Sequence, residues 1–282
     1  MNHPQNEALA AMAGGSLRTR VAAVQMVSTP RVADNLATAA ALIAEAAAQG
    51  ASLVALPEYF PIMGMNDAEK VAVREDDGSG PIQAFLAATA RQHGIWLVGG
   101  SIPLRAGSAD KMLNTTLVFD PSGTRVARYD KIHLFGFQKG NERYDESATI
   151  EAGRQPVAFA APFGRVGLSI CYDLRFPELY RSLGTCDLLL VPAAFTETTG
   201  RAHWEILLRA RAIENQCYVL AIAQGGRHEN GRETHGNSML IDPWGEVVAR
   251  RDKGEGLVLG EVDPARIAEV RASLPALRHR VL

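Results

Sequence analysis

Three side chains that could act together in acyl transfer stand at the ends of predicted strands. Glu58 closes LVALPE, Lys131 follows the run RVARYD, and Cys171 closes GLSIC. A thiolate can attack the carbon of an amide or nitrile, a nearby ammonium can lower the pKa of the thiol, and a carboxylate can take the proton and return it to a leaving amine. The three residue types together therefore suit acyl transfer from an amide or nitrile.

The environment of Cys171 predicts how its thiol is activated. A cation or a helix start near a cysteine lowers the pKa of the thiol. Lys131 would supply the cation, and the segment FPELY, just beyond Cys171, has the pattern of a short helix. We therefore expect a lowered pKa for Cys171, with Glu58 as the general base.

Each of these residues also has a plainer interpretation when it is taken alone. Cys171 resembles a small core residue, because free cysteines are among the most buried residue types. Lys131 could be a surface cation, and Glu58 could be a loop acid or an ion-pair partner. Only the occurrence of all three at strand ends favours a common site, because loops at the ends of strands usually present the reactive groups of α/β proteins.

The elements that would position these groups form two similar halves. The first half alternates strands and helices, reading VAAVQMV, ADNLATAAALIAEAAAQG, SLVALPE, PIQAFLAATARQHG and IWLVGGS. The second half reads in the same way, through the strands GRVGLSIC, DLLLVPAAF and CYVLAIAQ and the helices FPELYRSLG and AHWEILLRARAIEN. Hairpin turns are expected at Asp120–Gly123 and Asp242–Gly245. These patterns predict an α/β fold with two sheets face to face and helices outside.

Composition limits the classes of partner and the cellular location. The 282 residues have 47% hydrophobic content and a formal charge of −2, which predicts a single domain over residues 19–282 behind a flexible tail over 1–18. We expect no nucleic-acid partner, because no basic stripe is present, and no membrane span, because no apolar run is long enough. Three cysteines without a CxxC pair favour a reducing cytoplasm over a disulfide framework.

The seven histidines do not predict a metal site. His228 and His235 flank the turn ENGRET and are expected to face solvent, and no HExxH or comparable spacing occurs. The sequence therefore predicts neither a metal ion nor an organic cofactor.

Longer blocks around the three residues resemble a known family, the carbon–nitrogen hydrolases or nitrilase superfamily. LPEYF resembles its glutamate motif, YDKIHLF its lysine motif and SICYDLRFPELYR its cysteine motif. ATIEAG, VPAAF, the HWEILLRARAIEN segment, GNSMLIDPWGEVVA and LPALRHR resemble the Nit branch, so the resemblance runs from Val21 to the end of the chain. It implies a four-layer α-β-β-α sandwich and homo-oligomers, dimers or larger, that pair through helices flanking the cysteine.

The resemblance also implies roles for individual residues. At the matching positions, Cys171 would be the nucleophile, Glu58 the general base, and Lys131 an oxyanion-stabilising cation. The backbone N–H of Tyr172 would be a second oxyanion donor, and Glu146, preferred over Glu142 by its spacing to Gly153, a second active-site glutamate.

The substrate implied by the resemblance is a small amide. QCYVLAIAQGGRH and DPWGEVVAR look most like the amidases that split the α-ketoglutaramyl bond of deaminated glutathione, releasing 2-oxoglutarate and cysteinylglycine. A carboxylated substrate requires a cation, for which Arg175 is the candidate, with a pair to Glu178 or Asp173 as its alternative. Phe195 is expected in the same pocket.

Other functions remain open at this stage. An ω-amidase acting on 2-oxoglutaramate is a close relative, and an N-carbamoyl or aliphatic amide hydrolase is a further reading. The non-enzymatic alternative is a binding protein on an inactive hydrolase scaffold. The intact triad of Glu58, Lys131 and Cys171 argues against it.

Overall fold

The computed structural model describes residues 18–140 and 142–281. The predicted tail, residues 1–18, lies outside this part of the chain except for Arg18, so it stays a prediction. The strands are β1 (Thr19–Gln25), β2 (Leu53–Ala55), β3 (Trp96–Val98), β4 (Ile102–Arg105), β5 (Met112–Phe119), β6 (Arg125–Asp130), β7 (Gly136–Lys139), β8 (Glu142–Asp145), β9 (Ala158–Ala161), β10 (Gly164–Leu168), β11 (Leu188–Ala193), β12 (Tyr218–Ala223), β13 (Ser238–Ile241), β14 (Val247–Arg251) and β15 (Gly256–Val262). The α-helices are α1 (Val32–Ala48), α2 (Asp67–Ala72), α3 (Pro81–His93), α4 (Pro177–Ser182), α5 (Glu197–Asn215) and α6 (Pro264–Ser273).

Two large sheets form the centre of the molecule. The first has the order β15-β1-β2-β3-β5-β4, with β6 also paired to β5, and the second has the order β14-β13-β12-β11-β10-β9. In both, three neighbouring strands are parallel: β1, β2 and β3 in the first and β10, β11 and β12 in the second. Each half of the chain therefore builds a parallel centre flanked by antiparallel strands, as the repeated plan predicts.

The alternation of side chains along β1 shows how the layers pack. Val21 and Ala23 join a core cluster with residues of the second sheet, whereas Ala22 and Val24 join a cluster with α1 and α3. Successive side chains of a strand point to opposite faces, so one face of this sheet meets the other sheet and the other face meets helices. With Trp204 of α5 buried against the second sheet, the order of layers is α-β-β-α, which confirms the predicted fold class.

Local signals in the sequence explain where several elements begin and end. Helix α3 starts with Pro81 at its first position and stops at Gly94, whose φ is 62°, as helix-termination rules predict. Asp120 and Asp242 each accept two backbone N–H bonds within their turns. Both predicted hairpin turns are therefore confirmed.

The topology brings four connecting segments to one place. Glu58 follows β2, Lys131 follows β6, Cys171 follows β10, and Ala194 follows β11. The small sheet of β7 and β8, not expected from the sequence, lies between Lys131 and Cys171 in the chain. In the described part of the chain, no helix is long and apolar enough to cross a membrane.

Candidate active site

The structure brings Glu58, Lys131 and Cys171 together. Lys131 Nζ lies 2.9 Å from Glu58 Oε1, and the two side chains are 0% and 1% exposed respectively. The Cys171 thiol lies close enough to Glu58 and Lys131 for both side chains to influence its pKa. Lys131 is therefore not a surface cation and Glu58 is not an exposed loop acid, because each side chain is buried against the other.

Glu146 is the second carboxylate bound to the lysine. Its two carboxylate oxygens lie 2.9 and 2.7 Å from Lys131 Nζ. Tyr59 donates its hydroxyl at 2.9 Å and Phe135 its backbone N–H at 2.7 Å. Glu142 instead accepts a hydrogen bond from Thr198, so the geometry agrees with the preference for Glu146.

The Glu58 carboxylate is fixed by two further donors. Asn114 Nδ2 donates to Oε1 at 2.9 Å, and the backbone N–H of Ala194 donates to Oε2 at 2.8 Å. Asn114 lies on β5 and Ala194 follows β11, so both sheets orient the carboxylate. A carboxylate held this way could accept a proton with little rearrangement.

An unusual backbone conformation presents Cys171. Its φ is 51°, in the left-handed region that residues other than glycine seldom adopt. The fully buried Asp173 closes this turn by accepting bonds from Ile170 N at 2.9 Å, Tyr129 Oη at 2.6 Å and His133 N at 3.0 Å. The backbone N–H of Tyr172 lies in the first turn of the 3₁₀ helix Cys171–Arg175, where such groups lack intrahelical partners.

The predicted lowering of the Cys171 pKa is wrong. Burial raises the pKa of the thiol well above its ordinary value, the Glu58 carboxylate raises it further, and Lys131 only partly offsets them. Burial would lower the pKa of Lys131, but Glu146 and Glu58 hold it above its usual range. Burial would raise the pKa of Glu146, but Lys131 holds it below its usual range.

Charge balance explains the state of the thiol. Glu58 and Glu146 bring two negative charges and Lys131 brings one positive charge, so the cluster already carries a net negative charge without a thiolate. A second anion beside Glu58 in this buried space is unfavourable. Burial and the neighbouring carboxylates therefore favour the neutral thiol form of Cys171.

A narrow pocket opens in front of Cys171. It contains about 200 Å³ of empty space, part of it open to solvent. The other side chains that line it include Phe135, Arg175, Phe195 and Thr199. Its aromatic walls and single cation suit a small, anionic acyl group.

Both residues predicted to bind substrate line this pocket. The Arg175 guanidinium lies 5.4 Å from the Phe195 ring centroid and 5.6 Å from that of Tyr172. Its Nη1 is 3.2 Å from His203 Nδ1. Within residues 18–140 and 142–281 it forms no ion pair with Glu178 or Asp173, so its charge is free to meet a carboxylate.

The histidines that flank the ENGRET turn differ from the expectation. His228 is 3% exposed and contacts the Ser28 carbonyl and the Thr234 hydroxyl, so it is not a solvent-facing residue. His235 is partly buried against Glu197. No group of three or more histidine, cysteine, aspartate or glutamate side chains in the described segments could hold a metal ion.

Several residues of the site were not found from the sequence. Asn114 stands in the apolar strand MLNTTLVF, where an amide is a signal of buried hydrogen bonding. Asp173 and Tyr59 belong to the quoted cysteine and glutamate motifs, but nothing in the sequence assigns them a partner. Nothing in the sequence marks the backbone N–H of Ala194 as a donor to Glu58.

Comparisons with known proteins agree with the geometry. The family model described as carbon-nitrogen hydrolase matches residues 20–272. A Synechocystis protein named deaminated glutathione amidase is 46% identical over 267 residues, which cover 92% of this chain and 97% of that protein. The Xenopus laevis omega-amidase NIT2-A is 40% identical and covers 93% of this chain and 94% of its own.

A solved structure gives the same result for the fold. The crystal structure of the C. elegans NitFhit protein superposes with a TM-score of 0.85 and 40% sequence identity. The match covers 94% of this chain and 65% of that one, so the present chain corresponds to about two thirds of the longer protein.

Proposed function

This chain belongs to the carbon–nitrogen hydrolase family, and we propose that it is an amidase that cleaves the α-ketoglutaramyl bond of deaminated glutathione through a thioester on Cys171. Family membership makes the chain a hydrolase of carbon–nitrogen bonds in small amides. One observation supports the residue roles: the Glu58 carboxylate, held by a buried ammonium and two further donors, lies near enough to the buried Cys171 thiol to influence its pKa.

The first half of the reaction transfers the acyl group to sulfur. Glu58 takes the Cys171 proton as sulfur attacks the amide carbon. Lys131 and the Tyr172 N–H stabilise the oxyanion, and Glu146 keeps Lys131 in place. The C–N bond then breaks, and the amine leaves with the proton from Glu58.

The second half returns the enzyme to its starting state. Water attacks the thioester carbon while Glu58 accepts one of its protons. The C–S bond breaks, the carboxylic acid leaves, and Cys171 recovers a proton from Glu58. Glu58 accepts and returns every proton in this scheme. The scheme uses no metal ion or organic cofactor.

The pocket supports a 2-oxoglutaryl acyl group. Arg175 can bind the carboxylate at the far end of this short group, since a guanidinium matches a carboxylate in two parallel hydrogen bonds. Phe195 packs beside it. The relative with 46% identity bears the name deaminated glutathione amidase, which favours this substrate.

The second candidate is an ω-amidase acting on 2-oxoglutaramate. The Xenopus omega-amidase at 40% identity favours it, and the acyl group is the same for both substrates. Only the leaving group differs, a dipeptide in one case and ammonia in the other.

Product analysis with purified enzyme tests the proposal. We expect release of 2-oxoglutarate and cysteinylglycine from deaminated glutathione, with a higher kcat/KM than for 2-oxoglutaramate. Turnover of an N-carbamoyl amino acid, with deaminated glutathione left intact, would contradict it.

We also propose a homo-oligomer, a dimer or larger, that pairs through α5. Ile206 and Ile213 on this helix are 71% and 49% exposed, and Trp244 beside it is 51% exposed. Exposed apolar groups at one face are typical of subunit contacts. A mass in light scattering equal to that of one chain would contradict a homo-oligomer.

We also propose a reducing compartment such as the cytoplasm, because the proposed enzyme depends on a free thiol.

A further inference from the structure

A second and larger cavity lies behind the wall of the Cys171 pocket. It contains about 920 Å³ of space, including its open mouth, against about 200 Å³ on the same measure for the first pocket. Met63, Lys70, Tyr144 and Arg232 are among its lining residues.

The two cavities share their dividing wall. Ala194 lines the first pocket and packs in one apolar cluster with Met63 of the second. Phe135 of the first pocket and Tyr144 of the second have ring centroids 5.5 Å apart. The two cavities are therefore neighbours, separated by the thickness of these side chains.

Arg232 reaches from the second cavity to this wall. Its Nη2 donates to the Ala194 carbonyl at 2.7 Å, and its guanidinium lies 5.1 Å from the Tyr144 ring centroid. The N–H of the same Ala194 donates to Glu58. The guanidinium is thus tied to the residue that orients the proposed general base.

The Arg232 guanidinium lacks an anionic partner. Its Nε is buried and has no hydrogen-bond partner, and no carboxylate of residues 18–140 or 142–281 lies within ion-pair distance of it. An arginine is seldom held in a partly buried position without a paired charge. Among the described residues the Nη1 group of Arg232 has no hydrogen-bond partner, so it can donate to a carboxylate in the cavity that Arg232 lines.

Three of the other charged groups of the cavity, Asp67, Lys70 and Glu142, already have partners. Lys70 Nζ lies 2.7 Å from Asp67, and Glu142 accepts a hydrogen bond from the Thr198 hydroxyl at 2.8 Å. Asp67 is influenced by the charge of Arg232 but does not pair with it. Arg143 stands on the exposed rim.

We propose that Arg232 binds the carboxylate of the leaving group, and so selects amides whose amine portion is a short peptide with a free carboxyl end. The inference rests on the proposed function and deepens it. In deaminated glutathione the glycine carboxylate lies two residues beyond the scissile bond, roughly 7 Å along an extended chain. In 2-oxoglutaramate nothing extends beyond the nitrogen, so Arg232 has nothing to bind.

Steady-state kinetics of Arg232→Leu on both substrates tests the proposal. We expect the KM for deaminated glutathione to rise by about 10- to 100-fold, the range for losing a charge-assisted hydrogen bond, with kcat little changed. Kinetics on 2-oxoglutaramate should stay as in the wild type. Arg232→Lys should recover part of the loss, and Arg143→Leu, which removes the same charge from the rim, should have little effect.

A substrate analogue sharpens this test. Replacing the glycine carboxylate of deaminated glutathione by a carboxamide should raise the wild-type KM as Arg232→Leu does, and the two changes together should add little. Independent, additive effects would overturn the proposal. An equal fall in kcat on both substrates would also overturn it, because Arg232 would then act through Ala194 and Glu58.

The outcomes separate this inference from the proposed function. If the wild type cleaves deaminated glutathione but Arg232→Leu leaves its KM unchanged, only the role of Arg232 fails. If the wild type cleaves 2-oxoglutaramate alone, both fail.

Discussion

At the scale of single residues, the site is a pair of carboxylates that share one ammonium beside a neutral thiol. Lys131 forms hydrogen bonds with both Glu58 and Glu146. One negative charge is left over, and under the proposed mechanism Glu58 accepts the Cys171 proton. The pKa of the thiol is therefore controlled by its neighbours as well as by burial.

Removing the charge of Glu146 should lower the pKa of Cys171, because the carboxylate of Glu146 is one of the groups that raise it. In Glu146→Gln we expect the pH midpoint of Cys171 alkylation by iodoacetamide to move to lower pH, by roughly one unit or more. The rate of alkylation, followed by mass spectrometry from pH 6 to 11 (about the range in which thiols titrate), measures the shift.

Glu142→Gln is the matched control for this change. Glu142 is not bound to Lys131, so its variant should keep the wild-type midpoint. An upward shift in Glu146→Gln, or equal shifts in both variants, would show that the electrostatic account of Cys171 is wrong.

At the scale of elements, the turns that follow β2, β6 and β10 decide where the reactive groups lie. Gly100, between β3 and β4, supports the first of them. Its φ is 52°, and a Cβ at this position would lie 2.1 Å from the carbonyl oxygen of Pro57, the residue that precedes Glu58. The backbone of the glutamate segment packs directly on this glycine.

Gly100→Ala should therefore displace the segment that carries Glu58. We expect a loss of about 1–3 kcal/mol in the free energy of unfolding, together with a fall in kcat. Urea unfolding and steady-state kinetics measure the two effects.

Gly184→Ala provides the comparison, because Gly184 also has a positive φ, 74°, but no atom lies within 4 Å of its Cβ position. This variant should show the backbone strain alone and keep its kcat. Equal effects of the two substitutions on kcat would show that Gly100 does not position Glu58.

The elements and the proximity of Glu58, Lys131 and Cys171 could be predicted from the sequence, but the other groups that bind these side chains could not. Periodicity and turn residues such as Gly94 and Asp120 act within a few residues, so they can be read directly. The bonds from Asn114 and Ala194 to Glu58 join segments 56 and 136 residues apart. The raised pKa of Cys171 comes first from burial and then from the charge of Glu58. Both depend on segments far apart in the sequence, which is why the sequence predicted the wrong direction.

At the scale of the whole molecule, the two stacked sheets bury every cysteine of the chain. Cys171, Cys186 and Cys217 are 7%, 1% and 0% exposed. Burial raises the pKa of the Cys186 thiol to about 11 and raises those of Cys171 and Cys217 well above their ordinary values. In the unfolded chain all three thiols would ionise near pH 8.5 (about the free-cysteine value).

Stability should therefore fall as the pH rises above this value. Each thiol has a raised pKa in the folded state, so its contribution is complete below the unfolded pKa and is lost at higher pH. While a thiol stays protonated in the folded state, it contributes a slope of about 1.4 kcal/mol per pH unit. Urea unfolding at a series of alkaline pH values measures this slope.

Cys217→Ala separates this effect from other alkaline titrations. We expect the variant to be less stable than the wild type at neutral pH, because it loses buried volume, but to lose stability less steeply with rising pH. A slope equal to that of the wild type would contradict the burial of an un-ionised Cys217 thiol.

The central claim is that Cys171 is the nucleophile, and a titration with iodoacetamide tests it most directly. Labelling of each cysteine is followed by peptide mass spectrometry while hydrolysis of deaminated glutathione is measured on the same samples, with Cys171→Ala as the inactive reference. We predict that activity falls in proportion to labelling at Cys171 and reaches zero when this thiol is fully modified, with Cys186 and Cys217 still free. Full labelling of Cys171 with hydrolysis retained would contradict the account.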